Sequence, residues 1–232
     1  MPIQALARPA RVPTQTRNDS RKTVGDRNRE VAPDAQPLVD VGGARFAGVR
    51  VLMAPGLFGS GPDHWQSAWQ RQHPRFTRVE QDDWTWPNLE RWSRKVVETA
   101  ITANEPVVIV AHSFGCLATV RASVFQSNLI AGALLVAPAD PARFRVEDKL
   151  PQHTIDFPTT VVASTNDPWM PFEKAQAWAD RWGSDFVRLD AAGHINTKSG
   201  YSEWPLGLQL LEQLCERVKP QPARMPLLQL LH

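Results

Sequence analysis

Strand-like runs alternate with helical patterns through the middle of the chain. The strand-like runs fall at 48–54, 77–81, 107–111, 132–137, 159–164 and 186–189, and the helical ones at about 64–72, 88–102, 116–125, 171–182 and 202–218. Pro106-Val107-Val108-Ile109-Val110 is a continuous β-branched run, as expected of a strand covered on both faces. Asn88 and Ser202 read as helix N-caps, and Pro171 suits a first helical turn. Alternation of this kind predicts an α/β fold with a compact, mostly parallel sheet and helices on both faces. In open sheets of that kind, ligands bind beyond the carboxyl ends of the strands, so the residues following each strand carry the functional reading.

The pattern fades at both ends. Residues 1–41 are rich in Arg, Pro, Asp, Gln and Thr without a sustained period, which predicts a disordered N-terminal tail. Residues 219–232 contain Pro220, Pro222 and Pro226 before a small leucine patch, which predicts a Pro-rich C-terminal tail. One domain over 42–218 is therefore expected from 232 residues. A net charge of +2 gives no reason to expect nucleic acid or an acidic membrane surface as partner. No stretch approaches the roughly 20 apolar residues of a membrane span, and no secretory signal is legible, so a cytoplasmic location is expected. Cys116 and Cys215 lie in separate predicted helices without metal-ligand spacing and read as reduced thiols.

The chemistry gathers at the strand ends. Ala111-His112-Ser113-Phe114-Gly115 stands between a strand and a helix, where a nucleophile elbow needs small residues two positions either side of its serine. After the first strand, Pro55-Gly56-Leu57-Phe58-Gly59-Ser60-Gly61 offers a glycine-rich loop. In the functional reading of that loop, the backbone N–H of Leu57, with Phe58 as the alternative, joins that of Phe114 in an oxyanion hole. Asp140 and Asp167 each follow a strand, and either could orient a base. His194, in Ala191-Ala192-Gly193-His194-Ile195-Asn196, is the histidine of six that follows the last strand. Serine, aspartate and histidine at successive strand ends predict a serine nucleophile activated by a histidine base.

These motifs, with His64-Trp65, Asp83-Trp84 and Asn166-Asp167-Pro168, resemble the α/β-hydrolase superfamily. More narrowly the chain resembles the small serine hydrolases that include retinoblastoma-binding protein nine and YdeN. The resemblance covers about 48–218 and implies an α/β-hydrolase fold without a large cap. It also implies Ser113 as nucleophile, His194 as base and Asp167, rather than Asp140, as orienting acid. Leu214-Cys215-Glu216 lacks the spacing of the pocket-protein-binding motif of the vertebrate relative, so no such partner is carried over.

The expected function is hydrolysis of a carboxylic ester or related small acyl substrate through an acyl-serine, without metal or organic cofactor. Thioester, lactone and amide substrates fit the same apparatus. The alternative from another class is a catalytically weak binding protein on a hydrolase scaffold, using a tryptophan-rich rim. Substrate-pocket candidates are Phe58, His64, Trp65, Trp84 and Trp169, whereas Trp69, Trp92, Trp178 and Trp182 are expected to pack helices on the sheet. The connection 138–158 is too short for a large helical cap, which predicts an open site. No protein partner is predicted.

Overall fold

A computed structural model describes residues 45–218; the expected tails at 1–41 and 219–232 lie outside that range. Six strands form one parallel sheet: β1 (Arg50–Ala54), β2 (Thr77–Arg78), β3 (Val107–His112), β4 (Ile130–Val136), β5 (Thr159–Ser164) and β6 (Asp185–Leu189). Their order across the sheet is β2-β1-β3-β4-β5-β6. The central strands β3, β4 and β5 are buried at every position, which is why they read as unbroken apolar or β-branched runs.

Five α-helices cover the sheet: α1 (Trp65–Gln72), α2 (Leu89–Ile101), α3 (Phe114–Gln126), α4 (Phe172–Trp182) and α5 (Pro205–Arg217). Because side chains alternate along a strand, the sheet feeds two cores. Leu52, Ile109, Leu135 and Val161 pack with α2, α3 and α4, while Met53, Val110, Leu134 and Val162 pack with α1 and α5. Trp69, Trp92, Trp178 and Trp182 are buried in those layers. The link from β4 to β5 holds only two short 3-10 turns, Pro141–Phe144 and Glu147–Lys149, so among the described residues this link builds no large cap over the strand ends.

Three of the element boundaries that differ from expectation bear on the packing. The second strand stops at Arg78, because that side chain turns back to bond the loop after β1. α3 begins two residues early, at Phe114, directly after the elbow serine. Ser202 does not cap α5; Trp204, in the left-handed region at φ 47°, holds that position and Pro205 opens the helix. Proline's missing N–H costs nothing at a first helical position, and the Trp204 indole stacks on Trp69.

Candidate active site

Ser113 stands between β3 and α3 at φ 54°, ψ −122°, outside the conformations a non-glycine residue takes without cost. Close packing enforces that turn. A Cβ on Gly115 would sit 2.2 Å from the Ala54 carbonyl oxygen, and one on Gly56 would sit 2.7 Å from the Ser113 Cβ. Both glycines therefore let the loop after β1 lie against the strand-to-helix turn that holds Ser113. Ser113 N–H donates to Val136 O at 3.1 Å, tying the elbow to the end of β4.

Three of the expected residues meet here. His194 Nε2 lies 2.9 Å from Ser113 Oγ, and its Nδ1 lies 2.9 and 3.0 Å from the two carboxylate oxygens of Asp167. The Asp167 side chain is only 3% exposed, and Trp169 N–H donates to its Oδ1 at 2.8 Å. A carboxylate can only accept from Nδ1–H, so this arrangement leaves Nε2 bare and facing the serine hydroxyl. Asp140 lies elsewhere in the hydrogen-bond network. Its carboxylate caps the 3-10 turn at Ala142 N–H and pairs with Lys174 Nζ at 2.6 Å.

The loop that carries His194 is held chiefly through its main chain. Asn166 Oδ1 accepts from Gly193 N–H at 2.7 Å, and Ser199 Oγ accepts from His194 N–H at 3.1 Å. On the other side, His112 Nε2–H donates to the His194 carbonyl at 2.9 Å and Trp65 Nε1–H donates to the Ile195 carbonyl at 2.9 Å. Since a carbonyl only accepts, the His112 proton is on Nε2. The rings of His64, His112 and His194 follow one another at centroid spacings of 4.8 Å. Burial, followed by the nearby His64 and His194, drives the His112 pKa well down. Burial, followed by Arg78 and His194, lowers that of His64 to about 3. Both rings are therefore neutral at pH 7.

Beside Ser113 lies a cavity of about 380 Å³, lined in part by Leu57, Phe58, His64, Phe144, Trp169 and His194. Of the substrate-pocket candidates, Phe58, His64 and Trp169 line this cavity. Trp65 does not line it: it is wholly buried between α1 and α5, in contact with Trp69 and Trp204, and its indole N–H holds the loop that carries His194. Trp84 lies under the loop after β1, where its carbonyl takes the Phe58 N–H at 2.9 Å and its indole meets Gly59. Phe58 N–H is thus engaged, whereas Leu57 and Phe114 each open a helical turn, a position whose N–H has no intrahelical acceptor.

His112 had no expected role beyond its place in the elbow. Its signal was its phase, because Val108, Val110 and His112 share the face of β3 under α1 and α5, where a polar ring needs a partner. Both cysteines are free, with the thiol of buried Cys116 pushed well up by burial and that of Cys215 pushed up to about 12. Among the described residues, no cluster of three or more His, Cys, Asp or Glu could hold a metal, and no helix is long and apolar enough to cross a membrane.

Comparison with known proteins matches residues 51–213 to the serine hydrolase family model. Among solved structures, one described as a YdeN-like hydrolase from Pectobacterium atrosepticum is 37% identical, over 76% of this chain and 95% of its own, with a TM-score of 0.74. The ydeN gene product of B. subtilis is 21% identical, over 72% of this chain and 98% of its own, with a TM-score of 0.58. Est1E from Butyrivibrio proteoclasticus, with ferulic acid bound, shares the fold at 14% identity and a TM-score of 0.56, over 75% of this chain and 90% of its own. No curated protein matches the chain.

Proposed function

This chain belongs to the serine hydrolase family, and from that premise we propose that it hydrolyses carboxylic esters of small acyl substrates through an acyl-serine at Ser113. The observation that carries the reading is the unbroken hydrogen-bond chain from Ser113 Oγ through His194 to Asp167, on a strained elbow beside an open cavity.

In this mechanism His194 Nε2 takes the hydroxyl proton as Ser113 Oγ attacks the acyl carbon. Asp167 holds the imidazole in the required tautomer and stabilises the imidazolium. The N–H groups of Leu57 and Phe114 receive the oxyanion. Collapse of the tetrahedral intermediate breaks the bond to the leaving alcohol, which takes the proton from His194. Water then attacks the acyl-enzyme with its proton passing to His194, and the acid leaves as Ser113 Oγ regains that proton. A thioester, lactone or small amide would follow the same sequence. The short β4–β5 link favours small, accessible substrates over long-chain lipids. A folded core over 42–218 that needs neither tail, in the cytoplasm, completes the proposal.

The test is covalent labelling with a fluorophosphonate, alongside hydrolysis of short-chain esters by wild type and Ser113→Ala. One label per chain, lost with the hydrolysis in Ser113→Ala, is expected. Labelling or turnover that persists in Ser113→Ala refutes the proposal.

A further inference from the structure

Two large apolar side chains that line the cavity beside Ser113 stand exposed to water. Phe58 is 77% exposed and Trp169 is 50% exposed, and both line the cavity beside Ser113. Among the described residues, the other large exposed apolar side chains, Trp86, Ile101, Val124 and Phe125, lie outside its lining.

Phe58 is also kept there against its backbone. At φ 66°, ψ 9° it occupies the left-handed region, which glycine takes freely and a side chain with a Cβ takes at a cost. Its neighbours Gly59 and Ser60 share positive φ. The surroundings over-determine this shape. Phe58 N–H is fixed on Trp84 O, and the Arg78 guanidinium donates to the carbonyls of both Gly59 and Ser60. Ser67 Oγ also donates to Ser60 O and itself accepts from Arg78. The brace continues inward, because Trp84 packs edge-on to Trp92, and Trp92 edge-on to Phe114. Strain maintained at this expense, to display an aromatic ring beside a nucleophile, marks a ligand contact.

Trp169, which lines the same cavity, is held comparably. Its N–H is bonded to Asp167, and the guanidinium of Arg143, itself donating to Pro168 O at 2.9 Å, stands 5.4 Å from its ring. The indole centroid lies 6.2 Å from that of His194.

We propose that Phe58 and Trp169 are the specificity-determining residues of this site, and that they receive a planar aromatic group carried by the ester substrate. The proposal rests on the ester-hydrolase reading and narrows its substrate to aryl-bearing esters. Aromatic contacts prefer flat rings, which offer a π-face to stack on or meet edge-on. Saturated rings of equal carbon count lack that face.

The experiment compares ethyl phenylacetate with ethyl cyclohexylacetate, and benzyl acetate with cyclohexylmethyl acetate, by proton release in wild type, Phe58→Ala, Trp169→Ala and the double variant. Chromogenic nitrophenyl esters are avoided because their leaving group is itself aromatic. At least a threefold preference for the planar member of one pair is expected, expressed in KM. Each single variant should reduce it, since one aromatic contact corresponds to about 2- to 12-fold. A wild type that turns over both members of both pairs within threefold, or a double variant that keeps the preference, overturns the proposal. Phe58→Gly adds a readout that a structural role would not produce. It should lose the aryl preference yet melt a few degrees higher, because the left-handed strain is relieved. A lower melting point would remove the strain on which the argument stands. Failure of all four esters together with an unlabelled Ser113 would instead count against ester hydrolysis itself.

Discussion

Replacing Asp167 by asparagine is the most exacting perturbation of the proposed mechanism, because it exchanges one carboxylate oxygen for an NH2 group at nearly the same volume. Trp169 N–H donates to Oδ1 of residue 167, which selects that position for the amide oxygen. The amide NH2 then takes the place of Oδ2, 2.9 Å from His194 Nδ1, while the oxygen kept at Oδ1, 3.0 Å from that nitrogen, is shared with Trp169 N–H. A donor there favours the tautomer with Nδ1 bare and the proton on Nε2, so the ring presents Ser113 with a donor where it needs an acceptor. Loss of the correct tautomer in a serine triad lowers turnover by about 10⁴, a barrier increase of about 5 kcal/mol. Asp140→Asn is the matched control. It keeps an oxygen for the Ala142 cap and loses the ion pair with Lys174, a partly exposed contact worth about 1 kcal/mol or less. Its turnover should stay within about threefold of wild type. Steady-state hydrolysis and the rate of fluorophosphonate labelling would be measured, with circular dichroism to establish that both variants are folded. A folded, inactive Asp140→Asn beside a near-normal Asp167→Asn would refute the assignment.

Three further outcomes are expected. His112→Phe removes the donor to the His194 carbonyl and should lower kcat by about 10- to 100-fold with little change in KM, whereas His112→Gln, which offers an amide donor, should recover part of it; equal loss in both would dismiss the hydrogen bond as the cause. Acid should destabilise the fold through His64, whose pKa is about 3 when folded and near 6.5 when unfolded, so the unfolded chain binds more protons as pH falls between those values. That contribution is complete above pH 6.5 and is lost on the way down at up to about 1.4 kcal/mol per pH unit; urea unfolding at pH 7 and pH 4.5 should show it, with a shallower loss in His64→Asn, which retains an acceptor for the α1 cap. Gly115→Ala should cost about 3 kcal/mol or more, because its Cβ meets two backbone carbonyls that cannot swing away, and a melting point near that of wild type would contradict the packing described.

Legibility in the sequence followed how far local chemistry decided each element. β5 matches its expected span, and β3 runs one residue beyond its own, because β-branched side chains buried on both faces leave one consistent reading. Asn88 caps α2 as its type predicts, accepting from Arg91 N–H. At α5 the local signals competed. Ser202 looked like the cap, but Pro205 and the packing of Trp204 on Trp69 moved the start three residues on. Ser113, Asp167 and His194 stood out because a strand end, an elbow and an order along the chain recur together. Trp65 was misread as rim because it adjoins His64; its spacing from Trp69 was the clue that it faces the core. Which side chain would grip which carbonyl, as with His112 and Trp65 on the base loop, depends on contacts between residues more than eighty positions apart. No local pattern encodes such a pairing.

Because His194 is aimed by bonds to peptide groups at Gly193, His194 and Ile195, the side chains next along the loop are released from that duty. Thr197 and Lys198 face the cavity from a short turn whose own geometry is set by Asn196 and Ser199. The groups that aim His194 are therefore separate from part of the cavity lining. Diversifying Thr197 and Lys198 while holding Trp65, His112, Asn196 and Ser199 would explore new substrates without resetting the base. The same division gives a lineage built on this scaffold a route to change its diet one side chain at a time.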